Sequence, residues 1–506
     1  MKKRIIQLSL ALAMGQASHA FAQGATDALR YSQLQFGGPA RTQGIAGANV
    51  ALGADFGNLT SNPAGLGFYQ KSEFHGSLGL GFGQTDGSLY GNGKLNEQSN
   101  SVNIPSIGLV LATRRPDSDK GSSWRGGAFA LGFTRLADFN QSYNYQGAVT
   151  DGQSLFQRLR EPRVSPADIS GQYYNGPNGT YTNLDGLARG TFLTRIQKNP
   201  SRTDSSIVTT PRTGLVGQGE RTVATGSMSQ FDVGYGGSFR DRFYVGVGAS
   251  IVSSNYREAR DFSEATSKQD FASLQLHDEL HTTGRGVNGR LGLIFRATNA
   301  IRLGASIQTP TLMYLTDTYS TTLTTNFTAP AGTFTSSTAP GIYDYTLTTP
   351  FRANSGISVV LGKYGFISGD VEYVGYGQAR LHNDANSANG DNNSFSGANQ
   401  DIQALYRNTL NYRVGAEGRF SVFRARLGYA YYGDPYQTPS GGVSSARSYY
   451  TAGLGLRQGN FFLDVAEVYN SYKGSYSPYF LSSGREPQVA LSSQRYTTSI
   501  TAGVVF

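Results

Sequence analysis

The sequence predicts an all-β fold, a transmembrane antiparallel β-barrel of about 14 strands with a small N-terminal helical hatch plugging its lumen. Three observations carry this. From Glu73 to Phe506, segment after segment alternates with period two between apolar residues and small or polar ones, as strands do when their faces meet different surroundings. The connections between these segments alternate between short and long. Finally, 65 glycines, 31 tyrosines and 28 phenylalanines against a single tryptophan suit a wall with small residues inside and aromatic girdles at its two rims.

The first residues read as an export leader over 1–22. Lys2, Lys3 and Arg4 precede an apolar run from Ile5 to Met14, and Ala20-Phe21-Ala22 is a small-x-small cleavage site. The apolar core is about ten residues, short of the roughly 20 a spanning helix needs. No later uncharged apolar stretch approaches 18 residues, which excludes a helical membrane bundle and leaves a soluble chain or a barrel. A hydrophobic content of 38% is compatible with both, because a polar lumen offsets an apolar exterior. With no cysteine, disulfides and thiolate metal sites are excluded. The formal net charge of +9 includes the three leader cations, and arginine is spread evenly, so a nucleic-acid surface has no support.

Residues 23–71 read either as a plug or, on composition alone, as an ordinary N-terminal arm; the resemblance given below implies a hatch. Its centre, Gly37 to Gly67, is rich in glycine and alanine, and Asn62-Pro63 offers an N-cap followed by proline at the first helical position, where a missing N–H costs nothing. Residues 72–506 form the expected barrel. In one segment Phe231, Val233, Tyr235 and Phe239 alternate with Asp232, Gly234, Gly236 and Ser238. In another, Leu410, Tyr412, Val414 and Ala416 oppose Asn411, Arg413, Gly415 and Glu417. One face fits lipid and the other fits water or ion pairs. Many segments exceed about ten residues, the length of a tilted membrane strand and longer than sandwich strands. Short joints such as Arg240-Asp241 and Ser421-Val422 alternate with long ones, of which 141–228 is the longest and is expected to be an extracellular loop. Both termini then lie on the periplasmic side. Glu467 breaks the apolar face of its segment, so a bulge or a rim position is expected there.

Motifs with possible chemistry are few. Gly284 to Gly289 matches G-x-G-x-x-G but is followed by strand residues rather than a helix, so a nucleotide site is not supported. His277 and His281 share a strand face about 13 Å apart at roughly 3.3 Å per residue, too far for one ion. No nucleophile motif is visible, so the chain is read as a non-enzyme with no metal and no cofactor. The face assigned to the lumen carries charges of both signs. The first reading is an ion-pair network between wall and plug; Arg413, Arg419, Arg424 and Arg426 are also candidates for contacting a ligand's carboxylate, which a guanidinium fork suits.

Asp55 with Ser61-Asn62-Pro63-Ala64-Gly65-Leu66, lying just before the first strand, resembles the N-terminal hatch of the FadL family of outer-membrane long-chain fatty-acid transporters. The closing Phe506 resembles the signal read by the outer-membrane barrel-assembly machinery. The resemblance implies outer-membrane localisation and passive uptake of hydrophobic small molecules such as fatty acids. It also implies Asp55, Asn62, Pro63, Ala64 and Gly65 as the hatch motif, hatch rearrangement with lateral release, a lipid surround and a monomer. Two alternatives remain: a FadL-like barrel that docks a protein partner in secretion or surface attachment, and an outer-membrane lipid hydrolase.

Overall fold

The computed structural model describes residues 24–506 except 117, 119–120, 162–164, 168, 170–180, 199–204, 210–213, 267–270, 384–394 and 483–484; the leader read at 1–22 lies outside the described residues. Fourteen antiparallel wall strands close into a barrel. In chain order they are Glu73–Leu89; Asn92–Asn103 with Ser106–Arg114; Trp124–Asp138 with Gln141–Thr150; Leu215–Phe239; Phe243–Ala265; Phe271–Arg296; and Ile301–Gln308 with Leu312–Thr328. Then follow Gly341–Thr348 with Arg352–Val360; Gly365–Gly375 with Arg380–Asn383; Asn408–Phe420; Phe423–Tyr432; Arg447–Gln458; Phe461–Tyr476; and Val489–Val505. The last strand pairs with the first from Glu73↔Val505 to Leu89↔Val489, and closure removes the free edges that lipid would not tolerate.

The faces follow the alternation. Phe231, Val233, Phe243, Val245, Val247, Leu410, Tyr412 and Val414 are exposed on the outside, whereas Asp232, Ser250, Asn411, Arg413 and Glu417 are buried inside. An apolar band encircling a polar interior makes this an outer-membrane barrel. Tyr429, Tyr450, Tyr469 and Tyr496 stand side by side on the eleventh to fourteenth strands, with neighbouring ring centroids 4.8–6.2 Å apart, as a girdle. Glu467 lies one outward step from Tyr469 with unbroken register on both sides, so there is no bulge; Thr498 Oγ1 donates to its carboxylate at 2.5 Å instead.

The strands run further than the alternation indicates. Within 141–228, the third strand continues to Thr150 and the fourth begins at Leu215, paired from Gln141↔Ala224 to Thr150↔Leu215, so the connection proper is residues 151–214. Its helices Leu155–Arg160 and Leu184–Gly190 bury Leu155, Phe156, Leu159 and Leu187 against Phe262, Phe271, Leu274 and Leu323 of the projecting strand ends. A bidentate Arg158–Asp185 pair at 3.0 and 3.4 Å fixes one helix to the other, forming a dome over the mouth.

Candidate functional site: the plugged lumen

Residues 24–69 fill the barrel with short helices at Ala25–Arg30, Ala40–Gly44 and Asn58–Ser61 and a 3-10 helix at Pro63–Phe68. Pieces of one to two turns cannot satisfy their own backbone, so the wall supplies partners. Thr501 Oγ1 accepts from Ala40 N at 2.8 Å, Thr451 Oγ1 donates to Gly44 O at 3.0 Å, and Asp370 accepts from Val50 N at 3.0 Å. Ser306 donates to Ser61 O at 2.6 Å and Ser358 to Ala51 O at 3.0 Å.

Glycine in the wall makes the seats. A Cβ on Gly304 would stand 2.4 Å from Val50 O, one on Gly246 2.2 Å from Pro63 C, and one on Gly415 2.5 Å from Ile45 O. These inward glycines let plug backbone lie directly on strand backbone.

The motif residues sit at the centre of this contact. Asn62, fully buried, caps the 3-10 helix: its Oδ1 accepts from Ala64 N at 3.1 Å, while Nδ2 donates to Val50 O at 2.8 Å and Leu293 O at 3.1 Å. Pro63 packs on Gly246 and Ala64 is wholly buried. At Gly65 a Cβ would come within 2.4 Å of Asn58 Cγ, and its carbonyl accepts from Ala54 N at 3.0 Å. The Asp55 carboxylate accepts from Thr42 Oγ1 and from Gly57 N at 2.8 Å and lies 3.6 Å from Arg41.

The four candidate arginines do not converge. Arg413 pairs with Glu372 at 2.6 Å, alongside Arg352 at 3.1 Å. Arg426 and Arg419 each donate to Glu417 at 2.8 Å, and Arg426 also reaches Asp464 at 2.7 Å. Arg424 donates to the carbonyls of Ser421 and Phe423 at the short rim turn. The sequence reading missed Arg41, which joins this network from the plug side at 3.6 Å from Glu417; a lone cation in a glycine- and alanine-rich stretch was its signal.

Above the plug the lumen turns apolar. Leu29 and Tyr31 of the N-terminal arm, with Leu34 packed alongside, meet Leu136, Met228, Val252, Met313 and Leu315 of the wall, continuous with Tyr343, Tyr345 and Ile402. A cavity lined by Tyr31, Leu34, Leu136, Met228, Val252 and Arg352 has room for about one water. The helix Ala25–Arg30 therefore occupies the chamber. Tyr406 Oη holds it through Ala25 O at 2.9 Å, and Arg30 lies 4.0 Å above the Tyr256 ring.

Beside this chamber the wall is interrupted. Strand pairing breaks at Ile104-Pro105 in the second strand and after Asp138 in the third. Beyond these points Asn92–Asn103 pairs only with the first strand and Gln141–Thr150 only with the fourth; among the described residues no ladder joins the two. The upper third strand is tucked inward over the first: a Cβ on Gly87 would stand 2.1 Å from Asn144 O, and Tyr145 and Val149 pack with Leu89. Val102, 74% exposed, and Ile104 face outward at the gap.

His75 Nε2 and Ser106 Oγ are 3.0 Å apart with Glu73 3.5 Å from Nδ1, an arrangement the sequence did not reveal. His75 and Ser106 are fully buried and the Phe56 ring stands 4.7 Å from the imidazole, so the group anchors the plug to the wall and has no room for a substrate. Among the described residues no cluster of three or more His, Asp or Glu side chains is placed to hold a metal.

No protein-family model matches this sequence, and no curated protein does. Among solved structures, a Pseudomonas aeruginosa FadL homologue is 12% identical, aligns over 93% of this chain and 98% of its own, and has a TM-score of 0.54. The Pseudomonas putida toluene transporter TodX (12% identity, 93% and 99% coverage, TM-score 0.49) and the Ralstonia pickettii toluene transporter TbuX (16%, 93% and 99%, 0.47) are also similar. At such identities the likeness is one of fold, and on that ground the chain is folded as a FadL-type outer-membrane barrel.

Proposed function

We propose that this protein is a FadL-type channel for passive uptake of hydrophobic small molecules, long-chain fatty acids among them. The observation that supports it most is the apolar chamber around Leu136, Met228, Val252 and Met313 inside the wall, with a break in the wall alongside. A water-filled pore has no use for such a chamber, whereas an apolar solute gains roughly 25 cal/mol for every Å² it buries there. Residues 23–71 act as the hatch, with Asp55 and Asn62 to Gly65 as its fixed point. Withdrawal of the Ala25–Arg30 helix vacates the chamber for the ligand, and the gap between the second and third strands is its way into lipid.

A ligand carboxylate would reach Arg413, Arg419 or Arg426 only by displacing Glu372 or Glu417, so their first role is to tie plug to wall. Phe506, exposed beside a closing pair in which Ser72 and Phe506 exchange two backbone hydrogen bonds at 2.9 Å, serves as the assembly signal.

The test is uptake of labelled fatty acid and of toluene by cells lacking their own transporter, with entry of a small hydrophilic dye as control. Uptake of an apolar ligand without dye entry is expected. Background uptake of every apolar ligand would replace this reading with the docking one.

A further inference from the structure

Among the side chains that bridge the gap between the second and third strands, one comes from a strand that borders neither. Arg495 belongs to the fourteenth strand and faces the lumen. Its guanidinium lies across the inner face of the first strand, over Gly81 and Gly83, where added Cβ atoms would stand 2.5 and 3.4 Å from its terminal nitrogens. Beyond them it makes three hydrogen bonds: Nη2 donates to Ser101 Oγ of the second strand at 2.7 Å and to Asp138 Oδ2 of the third at 3.0 Å, and Nη1 donates to Asn140 O at 2.8 Å. Asp138 and Asn140 flank the point where the third strand bends inward. Ser101 Oγ also donates to Asp138 at 3.3 Å, and Arg135 lies 3.3 Å from the same carboxylate.

These contacts stand in for a missing ladder. Where the strands part, side chains provide the connection: Ser101 reaches Asp138, Asn144 Nδ2 donates to Glu97 at 3.1 Å higher up, and Arg495 bonds to both lips from outside the pair. Its side chain is 15% exposed and that of Asp138 11%, so the charge-assisted bonds are largely shielded from water and stronger than surface pairs. The plug reaches the same place: Gln35 N donates to Leu136 O at 2.8 Å, and Gly37 lies against Arg135 O.

We infer that Arg495 is a latch, holding the inward bend of the third strand against the first and second so that the lateral gap stays narrow until the latch is released. This rests on the proposed lateral route, but the state of the gap can be read without transport. Gly81 and Gly83 belong to the device, since any larger residue would push the guanidinium off its path.

The experiment uses the native absence of cysteine. Asn140→Cys is introduced alone and together with Arg495→Ala, Arg495→Lys or Asp138→Asn, and the rate of reaction with a lipid-soluble maleimide is measured on heat-modifiable barrel in vesicles. Loss of the charged bonds should raise the rate at least about tenfold in Arg495→Ala. Asp138→Asn should raise it less, because the Asn140 carbonyl and Ser101 remain, and Arg495→Lys should be intermediate because one ammonium cannot span both lips. A Ser421→Cys control at the opposite rim should not change. Rates at Asn140→Cys that are the same in all backgrounds, with the barrel intact, overturn the latch. Uptake measured in the same variants separates the two ideas: faster labelling without any apolar uptake in the parent keeps the latch and rejects the transport reading.

Discussion

Asn62 in the plug donates its side-chain amide to the carbonyl of Leu293 in the wall at 3.1 Å, while the same amide's oxygen caps the helix that follows. A cap alone contributes about 1 kcal/mol, but removing this side chain also takes the donor from the buried Val50 carbonyl, worth about 1–3 kcal/mol when left unpaired, and the tie to the Leu293 carbonyl of the wall. Asn62→Ala should therefore loosen the plug by several kcal/mol while the barrel assembles and stays heat-modifiable. Asn62→Asp should be no milder, because it keeps the cap acceptor but turns an oxygen toward both carbonyls. The check is hydrophilic dye entry, expected to rise in both variants.

Wall glycines should be as sensitive as the motif they face. In Gly304→Ala the new methyl would stand 2.4 Å from Val50 O, so the plug must lift, whereas Gly474→Ala meets nothing within 4 Å. Dye entry should rise in the first and match the parent in the second, with equal barrel yields. Equal dye entry in both would mean that the plug yields without cost.

Topology can be read from three single cysteines. Ser396→Cys and Ser444→Cys lie on the rim with the long connections and Ser421→Cys on the rim with the short turns. An impermeant maleimide on whole cells should label the first two and spare the third.

Docking of the N-terminal helix should depend on pH. Burial pushes the Asp27 carboxyl up to about 6 from an ordinary 3.8, against the pull of Arg30. An acid whose pKa is raised on docking favours the docked state when protonated, so docking is firmest below about pH 4 and weakens as pH rises toward 6 and beyond. A spin label at Thr26→Cys should gain mobility between pH 4 and 7, and Asp27→Asn should flatten that profile.

The wall was legible wherever one face met lipid. Phe231 to Phe239 and Leu410 to Ala416 alternate because one side is apolar from end to end. Asn92–Asn103 carries no such signal: it stands at the gap with polar residues on both faces, and its sequence reads as a loop. Gln141–Thr150 is hidden for the opposite reason, since it is tucked inside the barrel and has no lipid face. The hatch motif was readable because a cap and a following proline act locally. Its partners were not, because Leu293, Gly304 and Thr501 are hundreds of residues away in sequence and nothing near Asn62 encodes them. Glu417 and Asp464 could be placed on the inner face, yet which arginine meets which carboxylate depends on strand register and barrel shear.

The glycine seats bear on the order in which the molecule is made. Phe56 rests on Gly108 and Gly132, Pro63 on Gly236 and Gly246, Val50 on Gly304, Ile45 on Gly415 and Gly428, and Gln43 is bonded to Ser499 at 2.8 Å, so the N-terminal segment touches strands drawn from nearly the whole chain. It emerges first, but three of these eight resting places, Gly415, Gly428 and Ser499, exist only once the tenth to fourteenth strands have been laid down. The segment is a mandrel on which the sheet is wound: early strands meet it first, late strands complete its bed, and closure of the wall and completion of the interior become one event.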